Sequence, residues 1–209
     1  NRKTAIITGA YGAIGRAIAE GVAARDFRVF LVGRDRDRLE TVQKAIIQHS
    51  KNPEIYYNVT DRGLHQGILG FSRQWKGPLD LLINNAATAP HKRTETTEDT
   101  EVQWATNVLA YFRMIYYFAP FMEGLQDARI VNVASYWAGG LDAGDPEFKK
   151  RPYDNDTAYR QAKQANRMLS AAFAGKLKSK GIAVNACHPG DVNSKLSNAF
   201  GFGGSESPE

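Results

Sequence analysis

Apolar residues fall along this chain in two alternating kinds of run. Short runs such as Ala5-Ile6-Ile7 and Val29-Phe30-Leu31-Val32 are apolar at successive positions, so an extended segment would be buried on both faces. The longer stretches between them place apolar residues three and four apart, the spacing of one helix face. The first kind predicts strands at 3–8, 28–33, 54–59, 80–86, 129–135 and 182–187. The second predicts helices near 13–25, 35–49, 62–75, 97–123 and 157–180. Alternation of this kind predicts a doubly wound α/β fold, a parallel sheet of six strands with helices on both faces. No repeat or linker divides the chain, so 1–209 reads as one domain. The tail, 201–209, reads as a flexible loop because of its glycines and serines.

Composition narrows the classes. No apolar run reaches the roughly 18 residues of a membrane span. The chain begins at Asn1 rather than Met, which leaves open a leader or anchor upstream. Cys187 is the single cysteine, so there is no disulfide framework, and a reducing, cytoplasmic compartment is expected. The net charge is +5, but basic and acidic residues are mixed and no basic run reaches five, which argues against a nucleic-acid partner. His49, His65, His91 and His188 lie far apart, and Asp142, Asp145, Glu147, Asp154 and Asp156 lack a calcium-loop pattern. No metal is expected.

The candidate chemistry starts at Thr8-Gly9-Ala10-Tyr11-Gly12-Ala13-Ile14-Gly15, between the first strand and the first helix. Gly9 permits a tight turn, Gly12 lets a phosphate approach the backbone, and Gly15 lets helix and strand pack closely. The helix N-terminus offers free N–H groups and a partial positive charge to a pyrophosphate. Gly9, Tyr11, Gly12, Ala13, Ile14 and Gly15 are therefore the expected cofactor loop; a tight turn with no ligand is the competing reading. At the end of the second strand Gly33 leaves room, and Arg34 offers a planar fork to an adenosine 2′-phosphate. NADP(H) is the expected cofactor, against the plainer reading of Arg34 as a surface arginine capping the next helix. Asp61 is placed to meet the adenine or, equally well, to sit at a helix N-terminus. Asn84-Asn85-Ala86-Ala87 ends the fourth strand, and Asn85, Ala86 and Ala87 are expected to border the cofactor.

Tyr159 and Lys163 are four apart in a helical stretch and so share a face. A nearby cation favours the phenolate, so the expected effect is a lowered Tyr159 pKa and a proton donor and acceptor near neutral pH. An amphipathic surface pair is the ordinary alternative. Ser135 ends the fifth strand, where α/β folds place ligand-binding groups, and Asn107 lies in the long helix after the fourth.

Together the glycine segment, Asn84-Asn85-Ala86, Asn107, Ser135, Tyr159 with Lys163, and Pro189-Gly190 resemble the short-chain dehydrogenase/reductase family over nearly all the chain. Residues 159–166 and 188–194 look like its retinol-dehydrogenase-like branch. The resemblance implies a Rossmann-type fold and hydride transfer between a nicotinamide and a carbonyl or alcohol. By position it makes Tyr159 the general acid/base and has Ser135 hold the substrate oxygen. Lys163 would bind the nicotinamide ribose and tune Tyr159, and Asn107 would support a relay water. Pro189, Gly190, Val192 and Ser194 would line the nicotinamide side. The implied partner is a small, often lipophilic alcohol or aldehyde, with Tyr136, Trp137, Phe148, Tyr153, Phe200 and Phe202 as candidate pocket walls. The family's pairing through two long helices suggests a homodimer.

Departures from the family pattern set further expectations. Ala13 replaces the usual middle glycine, and the remaining spacing is that of the extended branch, which works on nucleotide sugars. Asn107 and the asparagine motif argue for the non-extended branch. Asn58 stands where an aspartate usually meets the adenine. Ser135 and Tyr159 are 24 residues apart, longer than usual, and the polar 141–156 loop between them is expected to lie over the site as a lid. Family members continue through a substrate loop, here from about 191, into a seventh strand. A C-terminally incomplete domain is therefore expected, with the sixth strand as an open edge. A non-catalytic dinucleotide-binding module and, further off, a nucleotide-sugar epimerase or dehydratase are the alternatives.

Overall fold

The computed structural model describes residues 2–201 and 203–208, so Phe202 lies outside the described residues. Strands β1 (Thr4–Thr8), β2 (Arg28–Gly33), β3 (Ile55–Val59), β4 (Leu81–Asn84), β5 (Arg129–Val133) and β6 (Ala183–Cys187) form one sheet in the order β3-β2-β1-β4-β5-β6. Every neighbouring pair is parallel. The strand order reverses between β1 and β4, which opens a crevice at their carboxyl ends. Successive residues of β1 serve opposite cores. Ile6 packs with Val32, Leu82, Met114, Phe118 and Ile130, whereas Ile7 packs with Leu31, Leu39, Ile46, Ile83 and Val133.

Helices α1 (Ala13–Ala23) and α2 (Arg36–Ser50) cover the second face. The buried residues of α1 are Gly15, Ala19 and Ala23, small enough to seat the helix close against the strands. In α2 the buried stripe is Leu39, Val42 and Ile46, and Asp35 caps the helix by accepting from the Arg38 N–H at 3.1 Å. The first face carries α3 (His65–Gln74), then α4 (Val102–Trp104), α5 (Ala110–Phe118) and α6 (Asn155–Leu177).

Three expectations change in the structure. The helix predicted at 97–123 starts at Val102 and contains one wide π turn, Ala105–Leu109, before α5. The expected lid at 141–156 is instead fastened to the body. Arg93 Nε donates to the Glu147 carbonyl at 2.9 Å, Glu147 Oε2 accepts from the Glu101 N–H at 2.9 Å, and Gln161 Nε2 donates to the Pro146 carbonyl. A short helix, α7 (Lys195–Ala199), follows Ser194, which caps it reciprocally with Ser197. The described part of the tail folds back, with the Glu206 N–H on the Asp191 carbonyl and the Asn193 N–H on the Glu206 carbonyl, both at 2.9 Å. As expected, β6 is an edge: Ala183, Asn185, Ala186 and Cys187 are exposed, and only β5 pairs with it among the described strands.

Candidate functional site

The glycine turn sits at the β1 end of the crevice. Gly9 has φ +68°, and its N–H donates to the Val32 carbonyl. A Cβ on Gly15 would lie 2.3 Å from the Gly9 carbonyl oxygen and 2.6 Å from Asn85 Nδ2. Thr8 and Asn85 latch the turn to the end of β4. Thr8 Oγ1 accepts the Asn85 and Ala86 N–H groups, while Asn85 Nδ2 donates to the Thr8 carbonyl at 3.0 Å. Helix α1 then begins at Gly12 with no side-chain cap and no acidic residue in its first turn. Asp35, Glu101 and Asp154 cap α2, α4 and α6. The bare first turn of α1 therefore suits an anion, and the glycine-only geometry behind it suits a pyrophosphate.

At the end of β2 Arg34 is exposed, and Asp35, not Arg34, caps α2. The Tyr11 ring lies against Gly33, where a Cβ would be 2.3 Å from Cε1. Arg38 stacks on that ring, 4.2 Å from its centre, and its Nη2 donates to the Tyr11 carbonyl. Sequence reasoning passed over Arg38; its place one turn after Arg34 was the available signal. Asp61 is exposed, and its carboxylate accepts from the Gly63 N–H at 2.9 Å, so it shapes the turn into α3. Thr60 donates its hydroxyl to Asn58 Oδ1.

At the other end, Ile14, Ser135, Tyr159, Pro189, Gly190, Val192 and Ser194 converge on one cavity of about 250 Å³. Tyr136, Trp137 and Phe200 complete its apolar wall, with the Phe200 ring 5.1 Å from that of Tyr159. Phe148 and Tyr153 do not line it. They pack edge to face within the anchored loop, and Tyr153 is tied to Gln103 and to the Pro90 carbonyl. Arg34 and Asp61 lie away from this cavity.

Asn107 is fully buried in the π turn and clamps the loop after β4. Its Oδ1 accepts the Thr88 N–H at 2.9 Å, and its Nδ2 donates to the Thr88 carbonyl at 2.8 Å. Lys163 is also buried, and its Nζ lies 5.5 Å from the centre of the Tyr159 ring. That ammonium donates to the Val133 carbonyl at 2.7 Å. The expected lowering of the Tyr159 pKa is not what the structure supports. Burial pushes the phenol up to about 12 against the opposing pull of the Ser135 hydroxyl, and burial pulls Lys163 down to about 8. Desolvation outweighs attraction because Lys163 is buried, Tyr159 is largely covered where it lines the cavity, and the ammonium is engaged elsewhere.

A doubly wound parallel sheet with an uncapped glycine turn at its switch point is the arrangement of dinucleotide-binding proteins. Residues 3–201 match the short chain dehydrogenase family, and the chain belongs to it. It is 31% identical over 207 residues to retinol dehydrogenase 13 of Mus musculus, covering 96% of this chain and 61% of that protein. Retinol dehydrogenase 12 of Homo sapiens is 30% identical, with 93% and 63% covered. These relatives place the chain in the retinol-dehydrogenase-like branch, and it spans about three fifths of their length. A solved short-chain dehydrogenase from Sphingobium yanoikuyae, in complex with NADPH, superposes with a TM-score of 0.76 at 25% identity, covering 95% of this chain and 75% of that one.

Proposed function

We propose that the protein is an oxidoreductase that moves a hydride between NADP(H) and a lipophilic carbonyl or alcohol. The observation that carries this reading is the convergence of Ser135 and Tyr159 with Ile14, Gly190 and Val192 on one cavity. The bound nicotinamide supplies or accepts the hydride. The first turn of α1 holds the pyrophosphate, and Arg34 and Arg38 meet the adenosine 2′-phosphate. In the reducing direction the protonated Tyr159 phenol gives its proton to the substrate oxygen. Ser135 orients that oxygen, and Lys163 stands behind the phenol as the charge that favours its deprotonated form. Asn107 keeps the floor of the site in register through Thr88.

The apolar walls contributed by Tyr136, Trp137 and Phe200 favour a lipophilic substrate. The decisive experiment follows loss of NADPH with a panel of aliphatic and polyene aldehydes. Turnover that rises with chain length supports the reading, whereas NADPH binding without turnover on any carbonyl favours a non-catalytic nucleotide-binding module. The exposed side chains Phe112, Tyr116 and Met168 on the outer face of α5 and α6 supply a surface for a second copy of the chain.

A further inference from the structure

Gln103 lies in α4, four residues before Asn107, and is fully buried. A buried amide is costly unless its polar atoms are paired, and both ends of this one are. Gln103 Oε1 accepts from Asn107 Nδ2 at 3.3 Å. Gln103 Nε2 donates to the Tyr153 hydroxyl at 2.8 Å and to the Asn155 carbonyl at 3.1 Å. The Asn155 carbonyl can only accept, which fixes which way round the amide stands. Tyr153 donates in turn to the Pro90 carbonyl at 3.0 Å. The Gln103 backbone is held as well, since its N–H donates to Glu101 Oε1 at 2.8 Å.

These bonds join parts of the site that are far apart in sequence. Asn107 holds Thr88 in the loop after β4, and Pro90 belongs to the same loop. Asn155 opens α6, and in an α-helix its carbonyl is the acceptor of the Tyr159 N–H, four residues on. Gln103 therefore bonds the carbonyl on which the backbone of Tyr159 hangs. Chain connectivity supplies no such tie. Ser135 and Tyr159 are 24 residues apart, and irregular chain fills 141–154 between them.

We propose that Gln103 is a positioning residue for the reaction: its amide holds the Asn107 clamp and the first turn of α6 in one frame, and so sets where the Tyr159 phenol stands. The proposal rests on the oxidoreductase reading given above. Gln103 does not line the cavity; it acts through its bonds to Asn107 and Asn155. Proton transfer weakens steeply when its donor is misplaced, so loss of this frame shows in turnover rather than in cofactor affinity.

Steady-state kinetics of the 209-residue chain with NADPH and decanal, beside NMR of the tyrosine-labelled, cofactor-free protein, test this. Gln103→Met keeps the bulk of the side chain without its polar atoms. Its kcat should fall about ten- to a hundredfold with the KM for NADPH within about twofold, and the Tyr159 ring resonances, assigned with Tyr159→Phe, should move. Tyr153→Phe breaks the tie to Pro90 but leaves Gln103 on Asn107 and Asn155. That variant should melt at a lower temperature with kcat within about twofold of the parent and the Tyr159 resonances in place. Gln103→Glu accepts from Asn107 at any pH but donates to Asn155 only when protonated, so its kcat relative to the parent should rise as the pH is lowered. Unmoved Tyr159 resonances in Gln103→Met, a kcat within about twofold of the parent, a loss that appears in the KM for NADPH instead, or an equal loss of kcat in Tyr153→Phe overturns the proposal. If Gln103→Met does not fold, the Gln103→Glu ratio decides, and a ratio that is flat with pH overturns it. Failure of both to fold overturns it too, because Gln103 would then be a structural necessity. A parent chain that oxidises NADPH with no aldehyde of the panel removes the oxidoreductase reading, and this inference with it.

Discussion

Tyr159, which lines the cavity, and the buried Lys163 share one helix face, and desolvation acts on them in opposite directions. The phenol is held protonated to about 12, and the ammonium is eased towards neutrality at about 8. Tyr159→Phe removes the only proton that the phenol can give, so turnover should fall roughly 10²–10⁴-fold while NADPH still binds. Near-normal turnover would remove Tyr159 from the chemistry. Lys163 also leaves a mark on stability. Its folded pKa is depressed from 10.5 to about 8, so between those values the unfolded chain binds more protons, and stability from this group rises with pH. Above about pH 10 the raised Tyr159 pKa works the other way, since the unfolded phenol ionises first. Lys163→Met should therefore unfold at a higher urea concentration near neutral pH, lose the rise at alkaline pH, and bind cofactor more weakly. Tyr111 also donates to the Val133 carbonyl, at 3.3 Å, which keeps that acceptor satisfied in the variant. A variant less stable than the parent at every pH would show the ammonium to be structural.

Asn107 shows how one side chain fixes an element. It closes two hydrogen bonds on Thr88 from inside the π turn, so Asn107→Ala leaves a backbone donor and an acceptor unpaired. The expected loss is about 1–3 kcal/mol, read from urea midpoints, and unchanged stability would mean that the loop after β4 is held by other contacts. Elements of this fold differ in how far the sequence reveals them. The strands were legible because a sheet covered on both faces needs continuous apolar runs, as in Ala5-Ile6-Ile7. The glycine turn was legible because its constraint is local: no Cβ fits at Gly15. The π turn was not, because 102–122 is largely apolar and aromatic and its period does not announce one extra residue. The 141–156 segment read as a lid over the site because its anchors, Arg93, Glu101 and Gln161, are remote in sequence or hidden in a neighbouring helix.

At the scale of the whole molecule, the sheet brings the end of β2 and the Ser135–Tyr159 cavity to opposite sides of one crevice, and the outer face of α5 and α6 exposes large apolar side chains. Phe112, Tyr116 and Met168 are 40%, 57% and 54% exposed, and the Phe112 ring stacks on Tyr116 and tilts against Phe173. Sedimentation velocity should find a dimer that Tyr116→Glu converts to a monomer. A monomeric parent protein would assign this face to some other partner. The central claim concerns the crevice itself, and calorimetric titration with NADPH and, separately, with NADH tests it most directly. The account predicts one NADPH per chain, bound about tenfold or more tighter than NADH, with Arg34→Ala costing about 1.5–3 kcal/mol for NADPH and little for NADH. Equal affinity for the two, a preference for NADH, or failure to bind either would contradict it.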